Sequence, residues 1–309
     1  MKYDVICIGT ALVDSIIRGF DPAPVTVSGY LAEAGSLHAG GEAVNGSVAA
    51  ARLGLRTAIL CFLGCDGAGD IVEAALRRAG VATELIVRSG GHPTPVTTMF
   101  VREDGTRKSI TNGAHRYNFH PERYAGCFSQ TRAVILGSLF RAPFNDTDVI
   151  SGVLHAAKAC GATVFADTKL PNFHPLALDD LADLLPLVDY ITPNEDEARY
   201  YTGRDTPEEM AEVFLRYGVG HVIIKRGAQG CYFRGPGISL PAFPVDAVDA
   251  TGAGDNFLAG FAAGILRGDG PAEALRFASA CGAICATAAG AGTALRDEAQ
   301  VRAFLASYA

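Results

Sequence analysis

The sequence predicts an α/β fold: a mostly parallel central sheet flanked by helices, with a small β-sheet projecting from it. Three observations carry this. Short apolar runs alternate with helix-like stretches along most of the 309 residues, which is the order of strand and crossover helix in a parallel sheet. The runs at 133–137 and 163–166 are apolar throughout, as strands buried on both faces are. Two β-prone pieces, at 24–27 and 96–111, stand outside the alternation with no helix to cover them.

In order, residues 3–9 form a β-rich opening, 43–53 a helix and 57–63 a strand. Residues 67–79 form a helix with Ile71, Ala74, Ala75 and Leu76 on one side. Residues 96–102 and 107–111 read as a hairpin with Asp104-Gly105 near its turn. A helix at 148–160 separates the strands at 133–137 and 163–166, and a helix at 207–217 separates strands at 188–191 and 221–225. Beyond Asp249 the pattern is mostly helical. One domain accommodates this length, with no repeat or linker in it. An apolar face on the small sheet calls for a ligand or a second subunit.

Composition narrows the function. The chain is 49% hydrophobic and 19% charged, ordinary for a packed globular protein, and its net charge is −7. Nucleic-acid binding rests on a basic surface, so that class is excluded as the main activity. The N-terminus lacks the apolar core and cleavage site of a signal peptide. Residues 277–295 are long and uncharged, but Ala, Gly, Ser, Thr and Cys drive membrane insertion weakly. Eight cysteines occur with no CxxC pair. Cys61/Cys65 and Cys281/Cys285 share a face if helical, yet no His lies near to complete a zinc site. Buried thiols in a reducing cytoplasm fit best.

The segment 248–257 carries the chemistry. Small residues at Gly252, Ala253 and Gly254 admit a ligand close to the backbone, just before a helix at 257–266. A helix start offers unpaired N–H groups and a positive dipole end, suited to a phosphate. Asp255 at its head can take a proton from a hydroxyl beside that phosphate. The same residues also suit a plain Asp cap after a flexible turn. Moreover Gly67-Ala68-Gly69-Asp70 repeats the tetrapeptide before another helix. Local propensity does not separate these readings. The GxxxxGK[ST] phosphate loop is absent.

Asp249-Ala250-Thr251-Gly252-Ala253-Gly254-Asp255 resembles the DTxGAGD signature of the ribokinase-like (PfkB) carbohydrate kinases. Other motifs follow in that family's order: Gly40-Gly41 with Asn45 and 51–54, the GxDxxG-like loop 64–69, the NxxE element Asn194 to Glu197, and the loop 225–230 after a strand. The resemblance spans essentially the whole chain and demotes Asp70. It implies one ribokinase-like domain over 1–309, with lid segments near 15–38 and 92–112. It implies that Asp255 is the catalytic base and that the Gly252, Ala253 and Gly254 backbone is an anion hole. Asp14, Gly40, Gly41 and Asn45 would hold sugar hydroxyls. Asn194, Lys225, Gly227, Gly230 and Gly254 would border the nucleotide, and Glu197 would organise Mg²⁺ through water. A monovalent-cation site would use Asp249 with carbonyls at Thr251, Cys285, Ala288 and Gly290. Ala294 stands where relatives carry Ser or a similar group, which argues against potassium activation.

The implied activity is ATP-dependent phosphorylation of a free sugar or sugar acid in the cytoplasm, with possible dimerisation through the lid. Gly137-Ser138-Leu139 resembles fructokinase and ketosugar-acid kinase relatives, whereas ribose-phosphorylating relatives carry a Glu near 137–140. Asp167-Thr168-Lys169 departs from the family's DPN, and Ser279 stands where Asn is frequent. A nucleoside kinase would stack a base on lid aromatics, for which Phe100 and Tyr117 are the candidates. A sugar-phosphate kinase would need a basic cluster such as Arg102, Arg107, Lys108 and Arg141. A non-catalytic sugar-binding regulator is opposed by the intact Asp255 and its glycine loop.

Overall fold

The computed structural model describes residues 1–19, 31–102, 107–113, 119–171 and 174–308. The strands run β1 (Tyr3–Ile8), β2 (Leu12–Arg18), β3 (Ala34–Gly40), β4 (Thr57–Leu60), β5 (Phe62–Gly64), β6 (Val87–Ser89), β7 (Val96–Val101) and β8 (Arg107–Thr111). They continue with β9 (Thr131–Leu139), β10 (Thr163–Thr168), β11 (Tyr190–Ile191), β12 (His221–Lys225), β13 (Cys231–Arg234) and β14 (Ile238–Leu240). The helices are α1 (Glu42–Arg52), α2 (Gly67–Arg78), α3 (Thr147–Ala159), α4 (Glu195–Thr202), α5 (Pro207–Arg216), α6 (Ala253–Arg267), α7 (Pro271–Ala286) and α8 (Glu298–Ala306).

Among the described residues, eight strands form the main sheet in the order β14-β13-β12-β11-β10-β9-β1-β4. Pairing is parallel from β4 through β12, and β13 and β14 close one edge antiparallel. Ile6, Ile8, Val134, Leu136, Val164 and Ile224 enter one core with residues of α3 and α5. Val5, Cys7, Ile135, Phe165 and Ile223 enter another with α6 and α7. Both faces are covered, which is why these strands show no polar alternation. From β1 the chain passes through the small sheet and α1 to reach β4 on one flank, and later returns as β9 on the other. The strand order reverses there, and α/β proteins bind ligands in the crevice at such a point.

The small sheet has the order β3-β2-β7-β8. The expected hairpin is present as antiparallel β7–β8, and β7 also pairs in parallel with β2. The piece at 24–27 and the Asp104-Gly105 turn lie outside the described residues. Leu37 and Ile110 on this sheet are 57% and 70% exposed.

Three expectations need correction. The strand at 57–63 divides at Cys61: β4 joins the main sheet, while β5 pairs with β6 in a separate two-stranded sheet. Cys61 and Cys65 therefore share no helix face, whereas Cys281 and Cys285 both lie on α7. Helix α2 buries Gly69, Val72 and Leu76, while Ala74 is exposed. The Ile71/Ala74 face misplaces the core stripe because small alanines satisfy a periodic pattern without needing burial. The strand near 188–191 shortens to two residues. Among the described residues, no helix is long and apolar enough to cross a membrane.

Candidate active site

Gly252 caps α6 with φ 76°, and a Cβ there would lie 2.2 Å from the Ala291 Cβ. Only glycine fits both the left-handed backbone and the close approach. The Ala253 N–H turns back to the Ala250 carbonyl (3.1 Å), so the N–H groups of Gly254 and Asp255 remain at the helix end. Asp249 fixes the loop. Its Oδ1 accepts from the Thr251 N–H (2.9 Å) and hydroxyl (2.6 Å), and its Oδ2 accepts from the Gly290 N–H (3.1 Å). Asn256 Nδ2 donates to the carbonyls of Gly252 (2.8 Å) and Ala291 (3.0 Å).

Asp255 sits in the first turn of α6, and its Oδ2 accepts from Asn45 Nδ2 at 2.8 Å. Burial pushes its carboxyl up to about 6; the Lys169 ammonium and the Asn45 hydrogen bond oppose that rise, and Asp167 and Glu42 add to it. Asp70 also lies in the first turn of its helix, but in different surroundings. Its side chain is 76% exposed and pairs with Arg88 at 3.1 Å. The cap of α2 is Asp66, whose Oδ1 accepts from the Gly69 N–H at 2.8 Å. Neither GAGD aspartate is a helix cap.

The small sheet delivers Asp14 on β2. A Cβ on Gly40 would fall 2.2 Å from Asp14 Oδ2, so the carboxylate lies against bare backbone. Gly41 has φ 96°, and a Cβ there would meet the Thr10 carbonyl at 2.4 Å. Burial raises the Asp14 carboxyl to about 6, with His38 opposing and Glu42 reinforcing.

Glu42, the first residue of α1, escaped the sequence reading. It accepts a short hydrogen bond from the Ser138 hydroxyl. A Cβ on Gly137 would sit 2.6 Å from its Cγ, so the strand end is kept bare to receive it. The signal is Gly137-Ser138, small residues at a strand end that leave room for a facing side chain.

A second polar cluster is built from β10, β12 and α4. Lys225 Nζ donates to both oxygens of Asp167, at 2.8 and 2.7 Å. Asp167 also accepts from the Thr168 N–H and the Thr192 hydroxyl. A Cβ on Gly254 would lie 3.0 Å from Lys225 Nζ, which places this ion pair beside the glycine loop. Gly227 (φ 52°) and Gly230 (φ 89°) shape the turn after β12, and a Cβ on Gly230 would strike the Leu240 carbonyl at 1.9 Å. Asn194 and Glu197 form a capping box at α4. Asn194 Oδ1 accepts from the Glu197 N–H (2.9 Å), while Glu197 Oε2 accepts from the Asn194 N–H (3.0 Å) and the Thr168 hydroxyl (2.8 Å). Glu197 is 5% exposed. Burial raises its pKa, with Asp167 adding and Lys225 opposing.

Lys169 is a second residue the sequence reading did not place. Its N–H donates to the Leu139 carbonyl (3.1 Å), and its carbonyl accepts from the Tyr201 hydroxyl (2.6 Å). Burial opposes the Lys169 charge, but Asp255, Asp167, Glu42 and Glu197 outweigh burial and raise its pKa.

Glu197, whose carboxyl feels the charges of Asp167 and Lys225, suits a magnesium ion held mostly by phosphates and water, which needs few carboxylates. Among the described residues no three His, Cys, Asp or Glu side chains form a metal cage. The residues implied as a monovalent-cation site do gather, since Asp249, Thr251, Cys285 and Gly290 are linked. Asp249 is engaged by two N–H groups and a hydroxyl, however, and the Thr251 carbonyl accepts from the Cys285 thiol at 3.5 Å. Tyr117 lies outside the described residues, as does the Arg107 side chain. Arg102 follows β7, Lys108 is on β8, and Arg141 is in the loop after β9.

The pfkB family carbohydrate kinase model matches residues 2–298. A ribokinase of Haemophilus influenzae is 29% identical over 277 residues, covering 86% of this chain and 87% of its own. A 2-dehydro-3-deoxygluconokinase of Bacillus subtilis is 29% identical over 305 residues, covering 90% and 92%. The solved structure of Arabidopsis thaliana ribokinase complexed with ribose and ATP matches with a TM-score of 0.86 at 26% identity, over 99% of each chain. That of a putative ribokinase II from E. coli in complex with ATP and Mg²⁺ matches with a TM-score of 0.78 at 25% identity, over 98% and 99%. With the family model spanning nearly every residue and the fold shared from end to end, this chain belongs to the pfkB family of carbohydrate kinases, phosphotransferases of the ribokinase-like fold.

Proposed function

We propose that this kinase transfers the γ-phosphoryl group of ATP to a hydroxyl of a free sugar or sugar acid, with Asp255 as general base. The observation that carries this is Asp255 itself. It stands at the head of α6 beside two helix-end N–H groups, oriented by Asn45, with its carboxyl raised to about 6. A base with that pKa is mostly ionised near pH 7 and still basic enough to take a hydroxyl proton. The Gly254 and Asp255 N–H groups receive the transferred phosphoryl charge, as positioned donors do in phosphoryl transfer.

Asp14 accepts from sugar hydroxyls, and Gly40 and Gly41 keep the backbone open around it. Asn45 holds the base rather than the sugar alone. The loop through Lys225, Gly227 and Gly230 borders the nucleotide, and Asn194 with Glu197 positions the phosphate side. Magnesium, when bound, neutralises phosphate charge. No activating role is assigned to potassium. The small sheet is a lid, and its exposed Leu37 and Ile110 offer a dimer contact. The free state of all eight cysteines supports a reducing, cytoplasmic setting.

The test is ADP release over a panel of neutral sugars, sugar acids, nucleosides and sugar phosphates, with Mg²⁺ and with excess chelator. A sugar or sugar acid is expected to be the best substrate, and chelator is expected to abolish turnover. Preferential turnover of a nucleoside or sugar phosphate would replace this reading, and full activity in chelator would remove the magnesium role.

A further inference from the structure

We propose that Lys169 is a further catalytic residue, whose ammonium contacts the phosphoryl group as it passes between ATP and the sugar hydroxyl. This rests on the kinase reading above.

The placement comes first. Lys169 directly follows β10, at the strand end where the crevice opens. Its two chain predecessors already belong to the site: Asp167 grips Lys225 beside Gly254, and Thr168 donates to Glu197. Hydrogen bonds to the Leu139 carbonyl and from the Tyr201 hydroxyl fix its peptide groups on both sides. A side chain rooted this way starts from a defined position, which is what a preorganised catalytic group needs.

Charge singles out the same residue. Lys225 is the obvious cation beside the glycine loop, but both Asp167 oxygens neutralise it. Lys169 is half-buried, yet among the described residues its ammonium makes no hydrogen bond or ion pair. Its electrostatic neighbours divide between the two ends of the crevice. Asp255 and Glu42 are on the sugar side, and Asp167 and Glu197 are on the phosphate side. An ammonium influenced by both ends and bonded to neither is placed for an anion that arrives between them.

The reaction supplies that anion. The sugar oxygen forms a bond to γ-phosphorus as the bond from γ-phosphorus to the β-bridging oxygen breaks. The electron pair leaves with ADP, and the hydroxyl proton passes to Asp255. In the loose transition state negative charge is spread over the equatorial oxygens and shifts to the departing bridging oxygen, and a fixed cation placed there lowers the barrier more than it aids binding.

The experiment compares wild type with Lys169→Met, Lys169→Asn and Lys169→Arg on the best sugar from the panel. Wild type without activity on any sugar, with ADP still bound, would sink the kinase reading and this role with it. With an active wild type, Lys169→Met and Lys169→Asn are expected to lose about 10²–10³-fold in kcat. KM for sugar and the Kd of MgADP should change by no more than about threefold, and Lys169→Arg should recover part of the rate. The acidic limb of kcat/KM should also move to higher pH in the neutral variants, because the ammonium opposes the rise in the Asp255 pKa. Folded Met and Asn variants within about threefold of wild-type kcat would overturn the proposal while leaving the function intact. A loss confined to KM, with no shift in the pH limb, would overturn it too. If Lys169→Met melts early, the Asn and Arg variants decide on the same readouts.

Discussion

Asp255 and Asp70 share a tetrapeptide and a place near a helix start, yet one is buried against Asn45 and the other exposed beside Arg88, and the proposed mechanism uses only the first. Asp255→Asn is expected to lose about 10²–10⁴-fold in kcat, the usual contribution of a positioned base. Asp70→Asn removes an exposed ion pair with Arg88, worth at most about 1 kcal/mol, and kcat should be unchanged. Measuring kcat and melting for both variants side by side checks the pair; a dead Asp70→Asn enzyme would mean the wrong loop has been assigned. The raised pKa values of Asp255 and Asp14 also bear on stability. A carboxyl raised to about 6 favours the fold when protonated. That contribution is complete below the ordinary Asp value near 4 and is lost as pH climbs through 6. Asp255→Asn should therefore melt above wild type by about 2–5 °C at pH 8, with the gap closing towards pH 4. An equal gap at both pH values would contradict the assigned burial. Asp255 and Asn45 were offered by short ordered motifs, and Asp14 by the family resemblance alone. Glu42 and Lys169 were offered by neither. Glu42 joins the candidate site only by meeting Ser138, 96 positions away, and Lys169 through the charges of nearby Asp167 and of Asp255, Glu42 and Glu197 from other segments.

At the scale of elements, helix ends organise the site, and each end has its own fixing device. The α4 end is a capping box, so Glu197 has a structural role beside the metal role proposed for it. Glutamine can serve the same N3 position. Glu197→Gln should thus keep its melting temperature within a few degrees while raising the magnesium concentration needed for half-maximal rate. Glu197→Ala should lose about 1–2 kcal/mol of stability as well, because the Thr168 hydroxyl and the Asn194 N–H lose their partner. Denaturant melts with a magnesium titration separate the two effects, and equal magnesium curves for Gln and wild type would remove the metal role. The α6 end depends on Gly252. Gly252→Ala places a methyl 2.2 Å from Ala291 Cβ on a left-handed backbone, and kcat should fall at least about tenfold as the loop shifts. Element types were readable from periodicity because buried strands and amphipathic helices differ in pattern. Boundaries were less so. The run 57–63 is apolar throughout, and nothing local marks Cys61 as the point where the chain leaves one sheet for another.

Across the whole molecule, the site is shared between two bodies of the fold. Asp255 belongs to α6 in the main domain, and Asp14 belongs to β2 in the small sheet. If that sheet is a lid, hydrogen exchange in 96–101 and 107–111 should slow when sugar and nucleotide are both present. Unchanged protection under saturation would count against closure. Sedimentation at working concentration tests the dimer contact, and a monomer would remove it.

The division between Asp14 and Asp255 bears on a hazard every kinase faces. Water is a nucleophile too, present at far higher concentration than any sugar. An enzyme whose acceptor site were complete at rest would hydrolyse ATP wastefully between encounters. In the proposed reading, the carboxylate that recognises a sugar, Asp14, and the one that activates it, Asp255, stand on different supports, with Gly40 and Gly41 where the small sheet passes into α1. On that reading a water molecule beside Asp255 would not engage Asp14, and would not draw the two supports together. Fidelity against solvent would then come from assembly, and the sugar itself would act as the assembling part.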